Sequence, residues 1–142
     1  ILNRDNPYYA LLLKQAKNHG ITKVISFGKH EDADYRLIKA TRKGSLQEIE
    51  MDASGTKITY TLQGTGTHHV INSLGVLATA IAGGANLQKA AASLARFELE
   101  DGRGRAAKLT FEDKTITLID DSYNASPASM RAAFEILGHY AG

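Results

Sequence analysis

The 142-residue sequence contains no cysteine. That excludes a disulfide framework, a thiolate zinc site and a cysteine nucleophile. No apolar run approaches the roughly 18 residues that span a bilayer, so no membrane insertion is expected. The opening stretch ILNRDNPYY lacks the basic stretch and apolar run of a secretory signal. A cytoplasmic location follows as the expectation. Charge of one sign is not in excess either: 17 Lys and Arg against 15 Asp and Glu give a net charge of +2, too little to argue for nucleic acid as a partner. Three catalytic signatures are missing as well. There is no G-x-x-x-x-G-K-[ST] phosphate loop, no G-x-S-x-G elbow and no H-E-x-x-H. What remains, 43% hydrophobic and 23% charged residues, is the composition of a globular protein able to bury a core. The length suits about one domain or pieces of two.

Helix and strand signals alternate along the chain. After the strand-like tail ILN, Asn6 is placed to cap a helix, Pro7 fits its first position and Gly20 can close it. Its inner stripe is read as Tyr8, Leu11, Leu12 and Gln15. Lys23–Phe27 has strand length and composition, so a parallel strand–helix–strand unit is expected. From Tyr35 to Leu62 three stretches alternate apolar and polar residues, with DASGT as a hairpin turn, which predicts an antiparallel meander with one solvated face. Helical spacing then returns, with Val70, Leu74, Leu77, Ala78 and Ile81 facing inward. Gly83-Gly84 ends that helix, and Asn86 caps a second one that buries Leu87, Ala90, Ala91 and Leu94. Two strands follow, AAKLTF and TITLID, joined by a tight turn at EDK. Ser126 and Pro127 open a last helix whose stripe is read as Met130, Ala133, Phe134 and Leu137.

Three clusters are more polar than a structural role demands. In GTHHVIN, the adjacent His68 and His69 are expected to diverge by about a quarter turn and not to share a metal. Asn72, read as lying in the same first turn, can offer both a donor and an acceptor. In GRGR, glycines permit close backbone approach, and each arginine carries a planar donor fork suited to phosphate or carboxylate. DDSYNASP follows a strand directly, where ligands of α/β sheets sit, and a carboxylate there can accept from vicinal hydroxyls. Capping and turn formation would use the same residues. Local chemistry leaves both readings open.

Taken in order, these clusters resemble the ATP-dependent Mur ligases. ILNRDNPYY resembles the family's asparagine-x-aspartate-aspartate strand end, with Asn6 in place of the second acid. GTHHVINSLGVLATAIAGG resembles its G-x-H-N-x-x-N-A helix, with His69 where asparagine is usual. FELEDGRGR resembles the segment at the hinge before the last domain. LIDDSYNASPASMRAAFEIL resembles the opening of that domain, with Ser126 replacing a common asparagine. The resemblance covers nearly the whole chain. It implies an α/β fold: part of the central, ATP-binding domain (parallel α/β unit plus antiparallel meander and helices, residues 1–114), then the first strand and helix of a Rossmann-like carboxyl-terminal domain (115–142).

The chemistry so implied is amide ligation through an acyl phosphate, driven by ATP with Mg²⁺. The ATP-binding residues would be Asn72 and His69 near the adenine, Arg103 at the phosphates and Asp121 on the ribose. Arg103 is preferred to Arg105 because it aligns without a gap. Tyr123, Asn124 and Ser126 would form the substrate-binding end. Tyr123-Asn124 favours the branch that joins D-Ala-D-Ala to a UDP-muramoyl tripeptide in peptidoglycan synthesis. The resemblance places the phosphate loop, the metal ligands and the family's modified lysine upstream of Ile1. The chain is therefore expected to be an internal fragment, inactive alone, with no catalytic residue and no metal ligand of its own, from a monomeric parent. The alternatives are a non-catalytic nucleotide- or partner-binding module on the same scaffold, or a sister amide ligase such as a folylpolyglutamate synthase.

Overall fold

The computed structural model describes residues 1–64, 66–98 and 100–138. Strand β1 (Leu2–Asn3), helix α1 (Tyr9–Asn18) and strand β2 (Ser26–Gly28) form the expected parallel unit, with Leu2 opposite Ser26 and Asn3 opposite Phe27. A parallel pair needs a crossover, and α1 supplies it. The details differ from the sequence reading. Asn6 does not cap the helix. Its Oδ1 accepts from Tyr8 N at 2.9 Å and its carbonyl accepts from Tyr9 N at 2.9 Å, so it bends the chain two residues earlier. The inward residues of α1 are Tyr9, Leu13 and Ala16, while Tyr8, Leu11 and Leu12 are exposed. Of Lys23–Phe27 only the last two residues pair, because β1 offers two ladder positions and no more.

β2 then pairs in parallel with β3 (Tyr35–Lys43) across the short link 29–34. Such a link is possible because β2 is only three residues long. Carboxylates hold it in place. Asp5 accepts from Lys29 N and His30 N, and Asp34 accepts from Ser26 N and Oγ, both at 2.7 Å. At Gly28 (φ +148°) a Cβ would lie 2.7 Å from the Asp5 carboxylate, so the close approach requires glycine.

The meander is as predicted: β3, β4 (Leu46–Ala53) and β5 (Thr56–Gln63) pair antiparallel and complete a mixed sheet in the order β1-β2-β3-β4-β5. Ser54 (φ 50°) and Gly55 (φ 90°) make the β4–β5 hairpin a two-residue turn with both φ angles positive, the geometry that matches strand twist. One face is buried (Ile49, Met51, Ile58, Tyr60, Leu62). The other carries cross-strand charge partners, Arg36 opposite Asp52 and Asp52 opposite Lys57.

Helices α2 (Thr67–Ala82) and α3 (Leu87–Leu94) cover the buried face. The predicted inward residues hold: Val70, Leu74, Leu77 and Ala78 are buried, with Ile81, Leu87, Ala90 and Leu94 packed around them. Each fully buried aliphatic contributes about 1.5–3 kcal/mol. Asn86 caps α3, its Oδ1 accepting from Lys89 N at 3.0 Å. Gly75 lets α2 lie against Phe27, whose ring would be 2.9 Å from a Cβ there. A polar pair sits in this core: Tyr60 Oη is 2.6 Å from Ser73 Oγ, which donates onward to Val70 O at 2.7 Å.

β6 (Arg105–Phe111) and β7 (Lys114–Asp120) form a separate two-stranded hairpin, turned at Glu112 and Asp113. The position between residues 114 and 115 falls at the foot of that turn. Helix α4 (Pro127–Gly138) starts where expected, Ser126 Oγ accepting from Ser129 N at 3.1 Å. Its inward face is not the predicted one. Ser129, Ala132, Ala133 and Ile136 turn in, while Met130, Phe134 and Leu137 are exposed. The apolar spacing located a stripe, but attachment goes through Ile136 against Gly66 and Gly104, and through Thr67 Oγ1 donating to Glu135 Oε1 at 2.8 Å.

Candidate functional site

Between α2, the 102–105 turn and the start of α4 lies an open cavity of about 950 Å³. All seven residues named from the sequence line it: His69 and Asn72 from α2, Arg103 from the turn, and Asp121, Tyr123, Asn124 and Ser126 from the segment between β7 and α4. Arg105 does not. It points away into an ion pair with Asp101 at 2.7 Å.

The α2 wall carries the first cluster. Because the helix begins at Thr67, Asn72 sits in its second turn rather than its first, exposed to the cavity. The histidines do not diverge as expected. Their ring centroids are 3.9 Å apart with planes tilted by 43°. The reason lies at Gly66, where a Cβ would fall 2.6 Å from His68 Cε1; its absence lets that ring fold back. Burial pushes His69 down to about 4, and the neighbouring His68 adds to the effect. Burial also lowers His68, against the opposing pull of Asp121 and Glu135. Both rings are therefore neutral near pH 7, each offering one donor and one acceptor.

The opposite wall is built on two turns stitched together. Gly104 N donates to Asp120 O at 2.7 Å, and Tyr123 N donates to Gly102 O at 3.0 Å. The two acids of DDSYNASP separate in role. Asp120 accepts from Ser122 Oγ (2.6 Å) and Ser122 N (3.1 Å), bonds that hold its carboxyl below the usual range. It shapes the turn. Asp121 makes no such bond among the described residues, and it lines the cavity. Asn124 Oδ1 accepts from Ala125 N at 2.8 Å, and the Ser126 hydroxyl serves the helix cap. The Arg103 guanidinium lies over the Tyr123 ring, 4.0 Å from its centroid.

Leu62, Val76, Leu94 and Phe97 supply an apolar side to the same space. Sequence reasoning missed Phe97; its only signal is an aromatic residue just past the end of α3. The arrangement suits a ligand with a flat apolar ring bearing hydrogen-bonding edges, hydroxyls for a carboxylate and an anion for the arginine. Among the described residues no three His, Cys, Asp or Glu side chains come together as a metal site, and no helix is long and apolar enough to cross a membrane.

Comparison with known proteins gives a consistent picture. Residues 1–80 match the family model described as the Mur ligase middle domain. The chain is 32% identical over 137 residues to the UDP-N-acetylmuramoyl-tripeptide–D-alanyl-D-alanine ligase of Rickettsia prowazekii, covering 96% of this chain and 30% of that protein. It is 28% identical, over 96% of its own length and 28% of the relative's, to the UDP-N-acetylmuramate–L-alanine ligase of Streptomyces griseus. Among solved structures, MurF from Acinetobacter baumannii superposes with a TM-score of 0.81 at 25% identity, covering 96% of this chain and 28% of that one. The chain thus spans less than a third of the length of these proteins.

Proposed function

The chain belongs to the Mur ligase family, whose middle-domain model matches residues 1–80 of its 142, and from that premise we propose that it is a nucleotide-binding segment of a peptidoglycan-precursor ligase, with residues 1–114 from the central domain and the last strand and helix, 115–142, opening the next. The observation that carries this reading is the convergence of seven residues, from positions 69 to 126, on one cavity of about 950 Å³. Asn72 and the neutral His69 present hydrogen-bonding edges to the base, Asp121 accepts from the ribose hydroxyls, and Arg103 meets the phosphates. Asn124 and Ser126 face the peptide end. ATP supplies the phosphoryl group that activates a carboxylate for attack by an amine, and this chain's part is to hold the nucleotide. Among the described residues no three His, Cys, Asp or Glu side chains come together as a metal site, and the magnesium ligands would lie outside the chain. The parent would be a cytoplasmic monomer.

As to the acceptor, the Tyr123-Asn124 pair and the 32% identity to the Rickettsia enzyme support D-Ala-D-Ala addition to a UDP-muramoyl tripeptide. The comparable match to a UDP-N-acetylmuramate–L-alanine ligase supports a second reading, L-alanine addition to UDP-N-acetylmuramate. The test is ATP consumption by the intact gene product with each substrate pair in turn. Turnover only with tripeptide and D-Ala-D-Ala is expected. Turnover only with L-alanine selects the second reading, and turnover with neither rejects both. The 142-residue chain by itself is expected to form no amide bond.

A further inference from the structure

Arg103 stands between two glycines in the left-handed region, φ +76° at Gly102 and +79° at Gly104. Backbone bonds on both flanks, Gly104 N to Asp120 O and Tyr123 N to Gly102 O, press this turn against the segment after β7. A Cβ at Gly102 would lie 3.2 Å from Tyr123 N and 3.3 Å from Tyr123 Cβ, so a larger residue would force the two apart. The result of this close fit is the stack itself: Arg103 Cζ sits 4.0 Å from the Tyr123 ring centroid, well inside the roughly 6 Å over which a ring face attracts a cation.

Among the described residues the guanidinium also makes one ion pair. Its Nε is 3.5 Å from Glu100 Oε2, with the two side chains 49% and 80% exposed. A solvated pair at that distance orients little. The ring is the more effective constraint, and a guanidinium lying over a ring face makes that contact through its π-face rather than through its N–H donors. A planar fork held in this way can meet an anion without first losing its rotational freedom.

We propose that Tyr123 is a positioning residue for Arg103: its ring holds the guanidinium ready for a phosphate in the cavity, and its effect on ligand binding runs through that arginine rather than through its own hydroxyl. This differs from the expectation that Tyr123 serves the peptide end of the site. It rests on the nucleotide-binding reading and makes it more specific, because it separates what the ring does for a nucleoside diphosphate from what it does for a nucleoside.

The experiment is a set of dissociation constants for ADP and adenosine, measured with the intact gene product as wild type, Tyr123→Phe, Tyr123→Leu, Arg103→Ala and the Arg103→Ala/Tyr123→Leu double variant. Tyr123→Leu should weaken ADP about fivefold, as expected for loss of a partly exposed cation–ring contact. Tyr123→Phe should leave ADP binding unchanged. Adenosine should bind equally to all, and Tyr123→Leu should add nothing once Arg103 is Ala. The Arg103 Nε proton should resonate upfield in wild type and Tyr123→Phe, and lose that shift in Tyr123→Leu. The proposal is overturned if Tyr123→Phe is as damaging as Tyr123→Leu, if adenosine weakens in step with ADP, or if the two losses multiply in the double variant. Failure of the wild type to bind ADP would instead reject the nucleotide reading, and this inference with it.

Discussion

His69 should make the protein acid-sensitive in a defined window. A histidine in an unfolded chain titrates near 6.5, whereas burial holds His69 at about 4 in the folded one. Between those values the unfolded chain takes up a proton that the folded chain does not. Stability is therefore independent of this group above pH 6.5, falls as the pH drops from 6.5 towards 4, and levels off below. At 1.36 kcal/mol per pH unit the interval amounts to about 3 kcal/mol, reduced to about 2 because the ring keeps some contact with solvent. His69→Asn removes the titration while keeping a donor and an acceptor. Urea unfolding at about pH 7 and about pH 4.5 gives the acid loss for each protein, and the carboxylates contribute equally to both. The wild type should lose about 2 kcal/mol more than His69→Asn over that range. Equal losses, or a His69 Cε1 proton titrating near 6.5, would refute the argument. The desolvation inferred from the ring's place on the cavity wall would then be wrong.

Three further outcomes follow from the geometry. Ser73→Ala strands the buried Tyr60 hydroxyl, 6% exposed, and should cost about 1–3 kcal/mol in urea unfolding. Tyr60→Phe leaves Ser73 still bonded to Val70 O and should cost less, with the double variant less damaging than the sum. Asp121→Ala in the intact gene product should raise KM for ATP about tenfold with little change in kcat, as loss of charge-assisted bonds to the ribose would; an unchanged KM removes Asp121 from the nucleotide site. Gly28→Ala drives a methyl group into the Asp5 carboxylate and should destabilise by about 2 kcal/mol or more, with faster hydrogen exchange at the Lys29 and His30 amides. Unaltered exchange there would mean that Asp5 is not what holds the link.

Most of the fold was legible because its signals are local. The meander alternates residue by residue. α2 and α3 carry their inward positions at helical spacing, with Gly83-Gly84 closing the first helix and Asn86 capping the second, and nothing distant is needed to read them. α1 and α4 show where this stops. Leu11, Leu12, Met130, Phe134 and Leu137 recur at helical spacing, yet all are exposed. Periodicity reports that a helix has an apolar side. It does not report what, if anything, lies against that side. The inward face was set instead by small contacts that no period reveals, such as Ile136 seated where Gly66 and Gly104 lack side chains.

The same distinction governs the site. Asn72, Arg103 and Asp121 were picked out by motif resemblance, and no spacing rule brings residues so far apart in the chain onto one cavity. What resemblance could not supply is how the side chains are held. The His68–His69 contact depends on a missing Cβ at Gly66, and the Arg103–Tyr123 stack depends on another at Gly102. In both cases a glycine with no chemistry of its own sets the orientation of a residue that has some. The two walls are also held by different means. Histidines and Asn72 ride on a helix buried in the core, while Arg103, Asp121 and Tyr123 ride on a hairpin and turns, with bonds such as Thr67 Oγ1 to Glu135 Oε1 joining the helix that follows them to that core. A ligand touching both walls would add to those bonds by mass action, by RT ln(1 + [L]/Kd). Binding energy at this site would thus be shared between holding the ligand and holding the second wall in place. This gives a physical reason for fixing Arg103 in advance: an arginine already stacked on Tyr123 leaves less ordering for the ligand to accomplish.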